Sequence, residues 1–365
     1  MILSVVIVSY NVKFFLEQCL SSLKKAVEGS SLLLNQTEVY IVDNASVDGS
    51  LDFLTPLFPA FHFIQNKENK GFAAANNQAL SLCCGEFILF LNPDTILAED
   101  TLENCISFLR SRPDAGALGV HMVDGAGRFL RESKRGFPGF GASFSKMTGL
   151  ARLFPRSKIF SSYYLGHLDE RLSHPVDIIS GAFLMARRTV MDKTGGFDEQ
   201  FFMYGEDIDL SYRIHQAGFQ NYYFAGSCII HFKGESTRKD FQYVTRFYTA
   251  MILFMKKHFK GFGAPIRLLL LCTAVRLHQL LAYFVISMRQ KKGTEQAASE
   301  PPPVPAERAK IKEVLFREGA PLSWKQIIQE ISDHPGEAIY LFHGSGTHAT
   351  VSSFASDLQG EVFDK

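Results

Sequence analysis

Apolar stretches of strand length alternate with amphipathic stretches of helix length through the first part of the chain. The apolar stretches predict strands over residues 2–8, 38–42, 61–64 and 86–91. The amphipathic stretches predict helices over 13–25, 50–58, 72–82 and 99–110. Strands that are apolar nearly throughout and are separated by helices are typical of a mainly parallel sheet covered on both faces. The pattern therefore predicts an α/β sandwich.

The alternation stops between residues 123 and 174, where glycine, serine, phenylalanine and arginine are frequent. We interpret this stretch as a long loop or partly ordered flap, a type of segment that is usually functional or mobile in a compact domain. Regular structure is predicted to resume over 177–186. A short helix near 189–193, a helix over 207–217 and a strand pair over 222–230 are predicted to follow.

The charge balance gives no reason to expect nucleic acid as a partner. The 365 residues include 38 Lys+Arg and 37 Asp+Glu, a formal net charge of +1, so no global field attracts a polyanion. The six cysteines are scattered without C-x-x-C spacing, which favours reduced, buried thiols over disulfides or metal ligands. Met1 leads directly into an apolar strand without a basic n-region or cleavage site, so we expect a cytoplasmic location.

Polar residues follow each of the four predicted parallel strands. In chain order they are Ser9, Tyr10 and Asn11, then Asp43 and Asn44, then Gln65 and Asn66, then Asn92 and Asp94. Each one alone is equally well explained as a turn residue. Because ligands of open α/β sheets bind outside the carboxyl ends of the strands, the four sets together favour a binding site at this edge.

Asp43 favours a nucleotide as the ligand, because a carboxylate fixed at a strand end can accept hydrogen bonds from a uracil or thymine N–H or from ribose hydroxyls. Asp48, five residues later, is interpreted mainly as a capping residue. Gly71 and the alanines after it allow close backbone approach at a helix N-terminus, which favours an anionic group. A plain helix entry is the competing explanation for Gly71, and the stretch lacks the G-x-G-x-x-G dinucleotide pattern.

Acidic residues in two places along the chain are candidates for metal binding or catalysis. Asp94 can hold a divalent cation that bridges two diphosphate oxygens, since Mg²⁺ commonly needs only one or two carboxylates besides phosphates and waters; a strand-ending turn is the alternative. Glu206, Asp207 and Asp209 open a predicted helix, and three carboxylates in four residues exceed what a helix N-terminus needs. Asp209 is expected to pair or cap. His231, at the end of the last strand, is more often a structural residue in such a place.

These motifs together resemble glycosyltransferase family 2, and most of all its bacterial rhamnosyltransferase-like branch, over about residues 1–232. The motifs that carry the resemblance are Val5-Val-Ile-Val-Ser-Tyr-Asn11, Val42-Asp-Asn-Ala-Ser-Val-Asp-Gly-Ser50, Asn69-Lys-Gly-Phe-Ala-Ala-Ala-Asn-Asn77, Leu91-Asn-Pro-Asp94, Ser180-Gly-Ala-Phe183, Gly195-Gly-Phe-Asp-Glu199 and Gly205-Glu-Asp207. They occur in order and at plausible spacing. The resemblance implies a GT-A fold.

The resemblance also implies an activity, which is the inverting transfer of rhamnose or another hexose from a nucleoside diphosphate. The acceptor would be a hydroxyl of a glycan or polyprenyl-linked acceptor in cell-surface polysaccharide synthesis. Asp43 would contact the base, and Asp94 would bind Mg²⁺ or Mn²⁺ with the donor diphosphate. Asp207, next to Glu206, would be the general base, and His231 would lie near the metal. The residues expected to line the nucleotide-sugar site are Ser9, Tyr10, Asn11, Asp43, Asn66, Gly71, Asn76, Asn92 and Asp94.

Asn92 stands where a stricter D-x-D motif has its first carboxylate. Three other functions were weighed against catalysis of sugar transfer. A degenerate fold serving as a membrane-associated assembly partner is disfavoured because Asp43, Asp94 and Asp207 are all present. A nucleotidyltransferase on a similar sheet would release pyrophosphate. A glycoside hydrolase also uses two carboxylates but needs no nucleotide pocket.

Four segments are predicted along the chain. They are a glycosyltransferase catalytic domain over 1–240, a helical segment over 241–292, a proline-rich linker over 293–309 and a small extension over 310–365. The apolar stretch 265–288, flanked by basic residues, favours an interfacial helix on the inner face of the cell membrane. A membrane span or a helix packed on protein stays open. In the extension, helix-like 324–331 and strand-like 338–342 precede a glycine loop over 343–347, which is a bare turn or a phosphate loop.

Overall fold

The structure is a computed structural model, and it describes residues 1–138, 145, 153–232, 241–260, 273, 276, 310–315, 323–335, 338–343, 348–351 and 362–364. The chain divides into two compact units. One unit comprises Met1–Ser236 with Ile311–Lys365, and the other comprises Thr237–Lys310. The four segments predicted along the chain stay a prediction.

A nine-stranded sheet forms the centre of the first unit. Its strands are β1 (Leu3–Ser9), β2 (Thr37–Asp43), β3 (His62–Gln65), β4 (Phe87–Leu91), β5 (Thr95–Leu97), β6 (Ala115–Val123), β7 (His174–Val176), β8 (Phe183–Arg187) and β9 (Gln220–His231). The order is β3-β2-β1-β4-β8-β6-β9-β5, with β7 paired to β9. The first four strands in this order are parallel, as predicted. Strand β8 is antiparallel to both β4 and β6, so the second half of the sheet is mixed.

Helices cover both faces of this sheet. They are α1 (Lys13–Glu28), α2 (Ser50–Leu54), α3 (Phe72–Leu80), α4 (Thr101–Ser111), α5 (Arg188–Thr194) and α6 (Glu206–Gln216). Leu3, Val5 and Ile7 of β1 join a core with α1, α2 and α4, whereas Val6 and Val8 join a core with α3, α5 and α6. Successive side chains of a strand point to opposite faces, so the uniformly apolar β1 is buried on both.

Strand β6 has no counterpart in the predicted elements, and its glycines explain why. A Cβ at Gly116 would lie 2.7 Å from side-chain atoms of Ile214 and Phe219, and one at Gly119 would lie 2.7 Å from Ile179. Glycine is therefore needed where helix and loop side chains approach the strand, but it removes the β-branched pattern that predicts a strand. The strand pair predicted over 222–230 was wrong: these residues lie in the single strand β9.

The stretch 123–174 contains little regular structure where it is described. Its regular elements there are two 3-10 turns, Arg131–Ser133 and Ser162–Tyr164. Residues 139–144 and 146–152 lie outside the described residues. The five cysteines that the structure describes are free; three of them are buried and Cys84 is exposed.

The remaining elements follow the sheet domain in the chain. Helix α7 (Phe241–His258) belongs to the second unit, and its last turn is basic. Helix α8 (Trp324–Asp333) and strands β10 (Lys310–Leu315), β11 (Ala338–His343), β12 (His348–Val351) and β13 (Val362–Asp364) follow it, and these four strands form a sheet of their own. The apolar stretch 265–288 and the glycine loop after β11 lie almost wholly outside the described residues. Among the helices that can be described, none combines the length and the apolar character needed to cross a bilayer.

Helix α8 packs on the sheet domain. Trp324, Ile327 and Ile331 share a buried cluster with Ile96 beside β5 and Ile230 of β9. The Glu99 carboxylate accepts hydrogen bonds from the backbone N–H groups of Trp324 and Lys325, at 2.7 and 2.9 Å. Because the first N–H groups of a helix lack intrahelical partners, this carboxylate anchors the N-terminus of α8 to the sheet domain.

Candidate active site

The carboxyl ends of β1, β2 and β3 lie side by side and carry the first predicted residues. Ser9 is in register with Asp43, and Asp43 with Gln65. The backbone continues this contact past the strands, since Asn44 N donates to Ser9 O at 2.8 Å and Asn66 N donates to Asp43 O at 2.9 Å. The sheet thus brings Ser9, Asp43 and Asn66 together at one edge.

Asp43 is almost completely buried, and one of its carboxylate oxygens has no hydrogen-bond partner among the described residues. Its Oδ1 accepts from Ser46 N at 2.8 Å, whereas Oδ2 is the unpartnered atom. The hydroxyl of Ser9 is likewise buried without a described partner. Buried polar atoms are almost always hydrogen-bonded, so two such atoms at one sheet edge point to a ligand.

Asn11 holds the loop after β2 in place. It adopts a left-handed conformation with φ of 54°. Its side-chain oxygen accepts from Val47 N at 2.8 Å, and its own N–H donates to Ser46 Oγ at 2.9 Å. Tyr10, just before it, is exposed. Asp48 caps as predicted, although it serves two helix starts: it accepts from Lys13 N of α1 and from Ser50 N of α2.

A side-chain network around Asn44 shapes the loop before α3. The Asn44 amide donates to Asn69 Oδ1 and to Gly71 O, both at 3.1 Å. Asn66 donates to Asn44 Oδ1 at 3.1 Å, so it acts on the loop through Asn44. Asn76 lies inside α3, where its amide donates to Phe72 O at 2.9 Å. The network holds the Gly71 loop against the end of β2.

Gly71 is where this loop meets the segment that leads to the acidic helix. It has φ of +84°, and a Cβ there would lie 2.6 Å from Phe202 O. Phe72 N donates to the same Phe202 oxygen at 2.9 Å. The position therefore requires glycine for both its conformation and its close contact.

Asp94 and His231 lie together beside paired strands. Thr95 of β5 is in register with His231 of β9, and Phe232 N donates to Asp94 O at 3.0 Å. His231 Nε2 lies 3.4 Å from Asp94 Oδ1 and 3.5 Å from Asn92 Nδ2. The structure thus brings together the two predicted metal ligands and Asn92.

The chemistry of this pair fits a cation. Both carboxylate oxygens of Asp94 and Nδ1 of His231 are buried without a hydrogen-bond partner among the described residues. An uncompensated buried carboxylate is costly, and a bound cation would remove that cost. No group of three or more His, Cys, Asp or Glu in the described part of the chain is arranged to hold a metal. A cation at Asp94 would therefore need phosphate and water oxygens to complete its coordination.

Asp207 sits in the first turn of α6 with both oxygens engaged. Its Oδ2 lies 2.5 Å from Arg135 Nη2 and accepts from Gly181 N at 3.2 Å. Its Oδ1 accepts from Ile208 N at 2.8 Å. Burial lowers the pKa of Arg135, but the charges and hydrogen bonds of Asp207 and Tyr163 together outweigh burial and leave that pKa above its ordinary value. The guanidinium therefore remains a cation beside Asp207.

The other two acidic residues of α6 have different environments. Glu206 is buried, and burial followed by the Asp207 charge raises its pKa. Asp209 pairs with Arg213, as expected, with Nε 2.7 Å from Oδ2. Arg213 also donates to Gly196 O at 2.7 Å, so the pair fixes the helix to the preceding loop. Asp207 is the member of the three that faces the Gly181 loop.

The loop over Ser180-Gly181-Ala182 connects Asn92, beyond the end of β4, to Asp207 of α6. Asn92 N donates to Ala182 O at 3.0 Å, and Gly181 N donates to Asp207. A Cβ at Gly181 would meet Asp207 Cβ at 3.6 Å and the Phe72 ring at 3.8 Å. Asn92, Phe72 and Asp207 are therefore connected through one short loop.

Arg135 is the residue of this site that sequence reasoning missed, whereas Asn44 was noted only as part of a polar strand ending. Arg135 lies in the irregular stretch 123–174, where no periodicity predicts which side chains turn inward. Its one signal is that an arginine precedes Gly136 and Phe137 in a stretch already interpreted as functional or mobile. Asn44 directly follows Asp43 but is indistinguishable from an ordinary turn residue in the sequence.

A mixed sheet with helices on both faces, and with acidic residues at its carboxyl edge, defines an α/β protein of the kind that binds its ligand at that edge. Residues 4–195 match the family model described as glycosyl transferase family 2. The chain belongs to this family and is a glycosyltransferase, as the motifs predicted. The GT-A fold and the likeness to the rhamnosyltransferase branch are also confirmed.

Two curated relatives and one solved structure illustrate the likeness. The N-acetylglucosaminyl-diphospho-decaprenol L-rhamnosyltransferase of Mycobacterium tuberculosis is 28% identical over 305 residues, which cover 80% of this chain and 96% of the relative. The rhamnosyltransferase WbbL of Escherichia coli is 31% identical over 167 residues, covering 45% of this chain and 58% of the relative. The S. aureus TarS 1–349 structure in complex with UDP-GlcNAc has a TM-score of 0.50 at 18% identity, covering 73% of this chain and 69% of that one.

Proposed function

We propose that this glycosyltransferase moves rhamnose or another hexose from a nucleoside diphosphate to a hydroxyl of a glycan or lipid-linked acceptor, with inversion at the anomeric carbon. Its role would be in cell-surface polysaccharide synthesis. The observation that carries the proposal is the placement of unpartnered, buried carboxylate oxygens of Asp43 and Asp94 at the sheet edge that leads, through the Gly181 loop, to Asp207. Two relatives named as rhamnosyltransferases support rhamnose as the sugar.

The nucleoside would bind beside β1 and β2. Asp43 Oδ2 and Ser9 Oγ are the buried acceptors available to the base N–H and the ribose hydroxyls. Asn11 shapes the wall by holding the 46–47 backbone, and Tyr10 is exposed next to it. Asn44, through Gly71 and Asn69, fixes the loop that would face the sugar or the phosphates.

The diphosphate would lie at Asp94 and His231, which would hold Mg²⁺ or Mn²⁺ with it. When bound, such a cation offsets the charge that develops on the leaving nucleoside diphosphate. Asn92 is within reach of His231 and would orient that ring. The free-energy cost of burying the Asp94 carboxylate without a hydrogen-bond partner would fall when donor and cation bind together, because the cation would neutralise its charge.

Asp207 would act as the general base. It would take the proton from the acceptor hydroxyl while the bond from that oxygen to the anomeric carbon forms and the bond from the anomeric carbon to the diphosphate breaks. General base catalysis typically contributes about 10²–10⁴-fold in rate. Arg135 would hold the carboxylate in its orientation, and Glu206 behind it would remain largely neutral at its raised pKa.

The acceptor would be presented from the inner face of the cell membrane. The M. tuberculosis relative is named for a decaprenol-linked diphosphate acceptor, which supports a lipid-linked acceptor here. The basic last turn of α7 would suit an anionic lipid surface. Association with vesicles of anionic lipid that is lost at high salt would support this placement.

A panel of nucleotide sugars tests the proposed function. dTDP-rhamnose and UDP-hexoses would be compared for thermal stabilisation of the protein with and without Mn²⁺, and then for transfer to a prenyl-diphosphate-linked sugar, with the product's anomeric configuration read by NMR. The expected result is metal-dependent stabilisation by one donor and an inverted linkage. A protein that no nucleotide sugar stabilises would fit an assembly partner, and pyrophosphate release from a nucleoside triphosphate would identify a nucleotidyltransferase.

A further inference from the structure

A cavity of about 640 Å³ opens beside the segment that carries Arg135, and no step of the proposed reaction uses it. Its walls come from residues 129–134 and 155–171. The volume lies within the roughly 300–1,000 Å³ that small-ligand sites occupy. The cavity is therefore large enough for a small ligand.

Cations dominate the lining. Arg131, Lys134, Arg156 and Arg171 contribute four permanent positive charges, against the two carboxylates of Asp169 and Glu170. Within the described residues, the side chains of the three arginines make no hydrogen bond or ion pair. Arginine forks match phosphate oxygens in geometry and charge, so this lining selects an anionic, phosphate-bearing ligand.

Lys134 is the buried centre of this set, with only 3% of its surface exposed. Its Nζ donates to Leu168 O at 2.8 Å and to Leu165 O at 3.1 Å. An ammonium has three donors, so one remains after these two carbonyls. A buried cation is costly without a countercharge, and burial lowers its pKa. Glu170 and Asp169 supply part of that countercharge, and an anion in the cavity would accept from the remaining donor.

His167 gives a second, independent sign of an unfilled anionic site. Its Nδ1 is buried and has no hydrogen-bond partner among the described residues. After burial itself, the groups that lower its pKa are all cations: Lys158, Lys134 and His174. The charges around this ring are therefore mainly positive, and its Nδ1 atom could hydrogen-bond to a ligand in the cavity.

The cavity wall is tightly built. A Cβ at Gly166 would lie 1.9 Å from Pro155 O, so the two parts of the wall touch through their backbones. Gly166 N also donates to Ser161 O. The close backbone contact fixes the wall of the cavity, and the two carbonyl partners of Lys134 fix its ammonium in that wall.

The cavity adjoins the proposed base. Lys134 lines the cavity, while its neighbour Arg135 donates to Asp207. Tyr164 also lines the cavity, and its ring packs edge-on against Tyr163 at 5.0 Å. Lys134, which lines the cavity, is thus the chain neighbour of the residue that pairs with the carboxylate proposed to receive the acceptor's proton.

We infer that this cavity binds the diphosphate group of the acceptor, so that a lipid-linked acceptor is held by its diphosphate while its sugar hydroxyl reaches Asp207. This inference rests on the proposed function for the identity of the acceptor. The cationic lining by itself indicates a diphosphate group, whichever molecule carries it. A free diphosphate is the other source of the same chemistry, and the experiment separates the two.

The test uses the full-length protein without divalent metal, with inorganic pyrophosphate and farnesyl diphosphate as probes in calorimetric titrations. The cavity variant is Arg131→Ala with Arg171→Ala, two exposed side chains. The control variant is Lys24→Ala with Arg110→Ala, which removes the same charge from exposed positions elsewhere. We expect the cavity variant to bind both probes at least about tenfold more weakly, and the control to bind them as the wild type does.

Three outcomes would overturn the inference. Pyrophosphate binding by the cavity variant that is as tight as binding by the wild type would show that the cavity is not the site. An equal loss in the control variant would show a general charge effect. Farnesyl diphosphate binding far more weakly than pyrophosphate would assign the cavity to a free diphosphate instead. Nucleoside diphosphate binding with Mn²⁺ is measured in parallel: its absence in the wild type counts against the proposed function, not against the cavity.

Discussion

Arg135 Nη2 lies 2.5 Å from Asp207 Oδ2, and the same nitrogen lies 3.2 Å from Ile179 O. The base proposed for the reaction is therefore paired with a cation that is itself anchored to the backbone before β8. Both members of the pair are largely buried. This pairing accounts for how two adjacent buried carboxylates, Glu206 and Asp207, can coexist in one helix turn.

Arg135→Ala is expected to destabilise the protein and to lower kcat while leaving donor binding intact. Breaking a buried ion pair from one side typically costs about 3–5 kcal/mol, because the remaining charge is left uncompensated. Arg135→Lys keeps the charge but lacks the planar fork, so it should recover more stability than activity. Urea unfolding and steady-state kinetics measure the two effects. An Arg135→Ala enzyme with wild-type kcat would contradict the assigned role.

Asp207→Asn is expected to remove the base without removing the fold. The amide retains most of the shape, so kcat should fall by about 10²–10⁴-fold while the nucleoside diphosphate still binds. Asp192→Asn, an exposed carboxylate paired with Arg188, is the control and should leave kcat unchanged. Full turnover by a folded Asp207→Asn protein would refute the assignment.

Asp94→Asn is expected to change stability and binding in opposite directions. Its two carboxylate oxygens are buried and unpartnered, so replacing them with a neutral amide should leave the free protein equally or more stable. The same change should abolish the stabilisation that a nucleoside diphosphate gives in the presence of Mn²⁺. Thermal unfolding with and without ligand measures both. Undiminished metal-dependent stabilisation would show that Asp94 is not a ligand.

Gly71→Ala is expected to destabilise the loop before α3, and Gly195→Ala provides a control at a second glycine with positive φ. Gly71 has φ of 84° and ψ of 170°, a conformation essentially confined to glycine, and a Cβ there would lie 2.6 Å from Phe202 O. Gly195 has φ of 82° and ψ of 35°, in the left-handed helical region, and a Cβ there meets nothing within 4 Å. Gly195→Ala should therefore cost only the backbone penalty, about 1 kcal/mol. Gly71→Ala should cost more and also raise KM for the donor. Equal effects in both variants would show that the Phe202 contact is unimportant.

Glu206→Gln is expected to gain stability relative to the wild type as the pH rises. Burial and the neighbouring Asp207 charge raise the pKa of Glu206 in the folded protein, so the wild type loses stability between the ordinary glutamate pKa and this raised value. Glutamine does not titrate and is spared that loss. Melting temperatures measured from about pH 5 to about pH 9 should show the difference growing over this window. Glu28→Gln, on the exposed end of α1, should follow the wild type throughout.

The first half of the sheet could be predicted from the sequence because burial on both faces leaves a continuous apolar run. Strands β1 and β4 carry that signal in full, whereas β2 is partly buried and the edge strand β3 is half-buried or exposed. Strand β6 does not, since Gly116 and Gly119 replace branched side chains where Ile214 and Ile179 pack closely. Sequence periodicity reports which faces are buried but not what they are buried against.

The candidate site was predictable to the extent that it follows strand ends. Asp43 ends β2 and Asp94 comes three residues after β4, so their common edge follows from parallel pairing alone. The partner of Asp207 was not predictable, because Arg135 is 72 positions away in an irregular segment. Which side chain of a loop turns inward depends on tertiary contacts that no local pattern records.

Helix α8 gives the site a dependence on the order in which the chain is made. The β5–β9 pair that carries Asp94 and His231 lies under Trp324 and Ile331, residues translated long after the last strand of that pair. A nascent chain that has completed β9 exposes this apolar surface until α8 emerges. Full rigidity around Asp94 and His231 would therefore be a late event in biosynthesis, reached only after the ribosome has passed the second unit.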